Sequence, residues 1–346
     1  MPLKNTLKIL FDTCLIFFAG ILMYYNQLVI YGLKMGKGQL HIVWNARPME
    51  ECLKDPALND TLKSKLLLIQ EIRKYAIDSL GLKNSVNYTT FYDQGQQPAI
   101  WVISACEPFE LKVKAWKFPI IGSVPYKGFF NKEEARDEQY RLREDGYDTR
   151  LGTTSGWSTL GWFKDPILSN MIYQSEGNLA ELIIHELTHS TIFIKDQIQH
   201  NENLANFVGE TGAKKFLLSK YGLSSKEYVS YLHQQEDELL YNRYMLKSLS
   251  ELDSLYKSFS PGQSPAEKIA LKEKVLIRVV WGVSNLKLND YARYLKISRN
   301  VIISKNAFFM EFMRYDSEHD YFEREMNEKA GGDLRKFIHV SEKAIW

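Results

Sequence analysis

Histidines at positions 185 and 189 flank a glutamate in the run NLAELIIHELTHSTIFIK, Asn178 to Lys195. On a helix, a spacing of four turns His185 and His189 to one face about 40° apart, close enough to bind one metal ion together. Glu186, beside the first histidine, can reach water on that metal without binding it. Two imidazoles holding zinc, with the glutamate as general base for peptide hydrolysis, is the chemistry this H-E-x-x-H pattern serves. Chance alone produces it in about one chain in a hundred of this length and composition. Two surface histidines on a helix are the bland alternative.

Zinc at a catalytic site needs a third protein ligand and an open fourth position. A third histidine at the HExxHxxGxxH spacing is absent, because Ile192 and Lys195 stand where the glycine and last histidine would be. Downstream, HNENLANFVGETG begins at His200. Glu202 follows His189 by 13 residues, enough for one helix to end and a second to pack back across it. Glu210 is the competitor, two turns later on nearly the same face, and His200 reads as a capping or surface residue.

The motif must sit on a rigid helix. Leu179, Leu182, Ile183 and Leu187 form a stripe that faces a core, and Asn178 is the expected cap, with Glu181 as its return partner. Earlier, Leu58 to Leu80 shows helical spacing and stops at Gly81. Val86 to Tyr92, Ala99 to Ala105 and Leu111 to Phe118 read as extended segments. Asn131 to Glu144 reads as a charged helix ending at Gly146, and Ser258 to Pro265 as a loop between helices. The expected class is α+β, a zincin-like domain with an early β-rich part and a mostly helical C-terminal part.

Composition agrees with a folded enzyme. Apolar residues make up 45% and charged residues 25%, which excludes a mainly disordered chain. A net charge of +2 without a concentrated basic field argues against a nucleic-acid partner. Cys14, Cys52 and Cys106 form no CxxC; Cys52 and Cys106 could pair on export or remain free thiols. From Thr13 to Leu33, 21 residues carry no charge, long enough to cross a bilayer of about 30 Å. The expected division is a membrane anchor helix over 1–30 and a metallopeptidase domain over 31–346.

Several stretches together carry a resemblance. HELTH with Asn201-Glu202 and Ala205, GWSTLGWFKDPIL (Gly156 to Leu168) and KFPIIGSVPYKGFF (Lys117 to Phe130) resemble the bacterial putative aminopeptidase family of gluzincin type. Gly38 to Leu40, Ala46 to Pro48 and KNAFFMEFMRY (Lys305 to Tyr315) match as well, so the resemblance covers about residues 31 to 340. It implies zinc held by His185, His189 and Glu202, with Glu186 as base and a peptide as substrate. Tyr315 matches a late tyrosine and is the candidate for stabilising the oxyanion, with Tyr126 the alternative. Relatives look exported, which implies a periplasmic catalytic domain. Cys14 follows Phe11-Asp12-Thr13, which is no lipobox, so a helix would replace the lipid anchor found in relatives. A zinc endopeptidase and a zinc-binding scaffold without turnover are the rival functions.

Overall fold

The computed structural model describes residues 26–95, 97–118, 122–153, 164–195, 197–314 and 319–343. The described chain begins with helix α1 (Asn26–Asn45), followed by β1 (Arg47–Pro48), α2 (Met49–Lys54) and α3 (Asp60–Asp78). Then come β2 (Thr90–Tyr92), β3 (Trp101–Cys106), β4 (Trp116–Phe118), β5 (Gly122–Val124) and β6 (Lys127–Phe129). Helix α4 (Lys132–Glu144) leads to β7 (Asp148–Thr153), β8 (Ile167–Leu168) and α5 (Ser169–Ile172). Long helices follow: α6 (Glu176–Thr191), α7 (Ile198–Tyr221), α8 (Lys226–Lys257) and α9 (Pro265–Gly282). The shorter α10 (Tyr291–Ser298), α11 (Asn300–Ser304), α12 (Asn306–Phe309), α13 (His319–Ala330) and α14 (Leu334–Lys343) complete it. Among the described residues every strand precedes Ser169, so strands come early and helices late, as the sequence suggests.

Strand β2 pairs antiparallel with β1 and parallel with β8, while β3 is the centre of an antiparallel β6-β3-β7 sheet. The main core lies between α3, α6, α7, α13, α14 and the β1-β2-β8 sheet, and α6 gives it Leu179, Ile183, Ile184 and Leu187, all fully buried. Each such side chain contributes roughly 1.5–3 kcal/mol on leaving water. A second core joins α8, α9, α11 and α12, crossed by a buried Lys272–Asp148 ion pair. Asn306, from the late family-like segment, donates to the Glu107 carbonyl and accepts from Tyr256, so it pins this second core.

Several sequence expectations change. Val86 to Thr89 is not strand, because Tyr88 adopts φ 57° and breaks the extended run. Ser175 rather than Asn178 caps the motif helix, accepting from the Asn178 N–H at 3.2 Å. Both residues are good caps and lie three apart, so pattern alone does not choose. Cys52 and Cys106 are free, buried thiols in different cores.

Helix α1 runs through residue 30 without a break, and its Tyr31 packs on Phe118 and Phe129 while donating to the Gly128 carbonyl. The end of the apolar run therefore rests on the β-rich part. Gly38 permits this closeness, since a Cβ there would overlap the Phe130 ring. No helix among the described residues is long and apolar enough to cross a membrane. Most of the run from Thr13 to Leu33 lies outside them, as do the WSTLGWF segment and Tyr315.

Candidate active site

Helix α6 positions His185, Glu186 and His189. Its buried stripe fixes rotation about the axis, and the Thr188 and Thr191 hydroxyls fold back onto the Ile184 and Leu187 carbonyls at 2.8 Å. The helix stops at Ile192, which turns extended. Asn201, buried in the first turn of α7, then accepts from the Ile194 N–H and donates to the Ile194 carbonyl. That pair of hydrogen bonds sets where α7 begins, and so where Glu202 points.

The three side chains converge. His185 Nε2 and His189 Nε2 are 3.1 Å apart, and the Glu202 carboxylate lies 3.7 Å from the first and 3.5 Å from the second. Tetrahedral zinc with bonds of about 2.0–2.1 Å would place its donor atoms about 3.3 Å apart. The donor set therefore fits zinc, and among the described residues three protein groups make it. Glu202 is half-exposed, which leaves the cluster accessible from that side.

Electrostatics favour the same use. Burial, and then His189, pull the His185 imidazole down to about 4, so it is neutral and ready to bind metal at pH 7. Burial also acts to lower His189, but its bond to Glu202 and the charges of Glu202 and Glu186 outweigh this and raise it. Glu202 is lowered, first by its bond to His189. Burial pushes Glu186 up to about 7 against the opposing pull of His189 and Tyr88, a value suited to accepting and returning a proton near neutrality.

Glu210 is directed elsewhere, 3.4 Å from His319 Nε2, and His200 packs edge-on against Phe322. Tyr126 is an exposed residue between β5 and β6. Sequence reasoning missed Tyr88, whose buried side chain faces Glu186, and the wall that α8 adds to the site. A cavity of about 370 Å³ beside His185 and Glu186 is lined also by Glu181, Gln234, Glu238 and Arg293. Glu181 accepts from Tyr231 at 2.6 Å and Gln235 at 3.2 Å. Glu238 accepts from Gln234 at 2.9 Å and lies 3.7 Å from Arg293. A larger cavity, about 580 Å³, lies under α1 around His41 and Phe130, and none of the candidate catalytic or metal-binding residues lines it.

A family model described as Putative aminopeptidase matches the chain over residues 30–344. Neither a search of curated proteins nor one of solved structures finds a match.

Proposed function

Since the chain belongs to the putative aminopeptidase family, we propose that it is a zinc-dependent hydrolase acting on peptides with a free N-terminus. The observation that carries this reading is the convergence of His185, His189 and Glu202 beside a buried Glu186. When bound, zinc supplies a Lewis acid that acidifies water and polarises a carbonyl. Glu186 takes the proton from the attacking water and delivers it to the leaving amine. The cavity beside it would seat the first residue of the substrate, with the Glu181 and Glu238 carboxylates along the wall where a protonated amine would lie. Tyr315 is proposed to donate to the oxyanion, from its place in the family-like segment.

We also propose that the apolar run from Thr13 to Leu33 anchors the protein in a membrane with the catalytic part exported. Its support is the uncharged length and the family resemblance. Resistance to an alkaline carbonate wash, lost on deletion of residues 1–25, would test it.

The functional test is metal-dependent cleavage of aminoacyl p-nitroanilides and short peptides, free and N-acetylated. Cleavage of the free substrates alone supports an aminopeptidase. Cleavage of both would make the protein an endopeptidase, and cleavage of neither a non-catalytic scaffold.

A further inference from the structure

Tyr88 combines features that its packing alone does not require. It is 1% exposed, yet its backbone takes the left-handed φ of 57°, a conformation unfavourable for a bulky side chain. Three bonds hold it there. The Tyr88 N–H donates to the Asp165 carbonyl at 2.7 Å, and the Asp165 N–H donates to Asn87 Oδ1 at 3.1 Å. Upstream, the Lys83 N–H donates to Thr191 Oγ1 at 3.0 Å, so residues 83–88 run beside α6 from Thr191 back toward Glu186.

The ring fills the main core, where phenylalanine would pack as well. The hydroxyl is buried against the Glu186 carboxylate, near enough for each group to shift the other but short of a well-formed hydrogen bond, with Asp165 also close. A buried hydroxyl short of good hydrogen-bond geometry adds little to stability, and strained backbone that the fold maintains is concentrated at functional sites.

We propose that Tyr88 is a positioning residue for Glu186: its hydroxyl closes onto the carboxylate when substrate is bound and fixes which oxygen faces the attacking water. The proposal rests on Glu186 being the base. Burial, then Glu186 and Asp165, hold the Tyr88 phenol's pKa well above its ordinary value, so it stays a donor across the working pH range. Carboxylates otherwise rotate, and a base that presents the wrong oxygen loses rate without losing substrate affinity.

The experiment compares wild type, Tyr88→Phe, Glu186→Gln and the double variant as full chains, on the best-cleaved aminoacyl p-nitroanilide. Tyr88→Phe should hold as much zinc as wild type and melt at about the same temperature, because the ring keeps its packing and the hydroxyl makes no well-formed hydrogen bond. Its kcat should fall on the order of 10-fold or more, with KM within about twofold, as expected when a catalytic base loses its alignment. The double variant should be no slower than Glu186→Gln alone, since Tyr88 acts through Glu186.

A Tyr88→Phe enzyme with wild-type kcat would overturn the proposal. So would a lower melting temperature with loss of zinc, or additive losses in the double variant, since each makes the hydroxyl structural or independent of Glu186. If Glu186→Gln itself keeps full turnover, or the wild type cleaves no probe, the reading of the base fails and this proposal with it. If Glu186→Gln is slow and Tyr88→Phe is not, only the Tyr88 assignment fails.

Discussion

Asn201 holds Ile194 by both of its backbone polar groups, accepting from the N–H at 2.9 Å and donating to the carbonyl at 2.7 Å. The neighbouring Glu202 faces the histidines because that clasp fixes the turn between α6 and α7. Asn201→Ala removes both bonds from a half-buried turn, which should cost about 1–3 kcal/mol of stability. It should also weaken zinc binding by tenfold or more, although Asn201 itself is not a ligand. Chelator competition on folded protein checks this, and unchanged affinity would separate the turn from the site.

Gly209 lets α7 lie against the motif helix. A Cβ there would sit 3.0 Å from the Glu181 carbonyl and 3.2 Å from His185 Cβ, closer than packed side chains ordinarily come. Gly209→Ala should therefore shift the two helices by a few tenths of an ångström and reduce zinc affinity several-fold, with Gly209→Val worse. A Gly209→Val protein with wild-type affinity would refute the role of this contact.

Burial pushes the Glu181 carboxyl up to about 7 from its ordinary 4.5, partly offset by the Tyr231 hydroxyl. The folded state thus holds this proton more tightly than the unfolded chain. Its stabilising contribution is complete below pH 4.5 and is lost as pH rises through 7. Glu181→Gln keeps an acceptor for Tyr231 and removes the dependence. Relative to wild type, the variant should gain up to roughly 3 kcal/mol between pH 4.5 and 7 and no more above that. Denaturant unfolding at pH 5 and pH 8 measures the difference, and an equal difference at both would contradict it.

Glu238 and Gln234 face the cavity from α8, more than 40 residues along the chain from the motif. If the cavity receives a protonated amine, Glu238→Gln should raise KM for free-amine peptides on the order of tenfold and change kcat less. Steady-state kinetics on free and N-acetylated substrates decide it. An equal effect on both would show that Glu238 does not read the amine.

The local parts of this site are legible in the sequence because they depend on helical geometry. His185, Glu186 and His189 share one turn-to-turn spacing, and the stripe that turns them inward lies on the same helix. Glu202 is legible from the chain length needed to reverse direction, but pattern alone does not separate it from Glu210; packing brings Glu202 beside the histidines and turns Glu210 toward His319. Glu238 and Tyr88 leave no local signal, since other elements carry them to the site. Tyr88 also breaks the apparent strand around it, and no alternation of apolar residues forecasts a positive φ at a tyrosine.

The central claim is a division of labour between adjacent side chains, in which His185, His189 and Glu202 hold zinc and Glu186 moves the proton. The direct measurement is zinc per chain and turnover on one preparation of Glu186→Gln beside wild type. The account predicts about one zinc in both proteins and a loss of turnover on the order of 10² to 10⁴ in the variant. Near-normal turnover in zinc-loaded Glu186→Gln, or loss of its zinc, would contradict it.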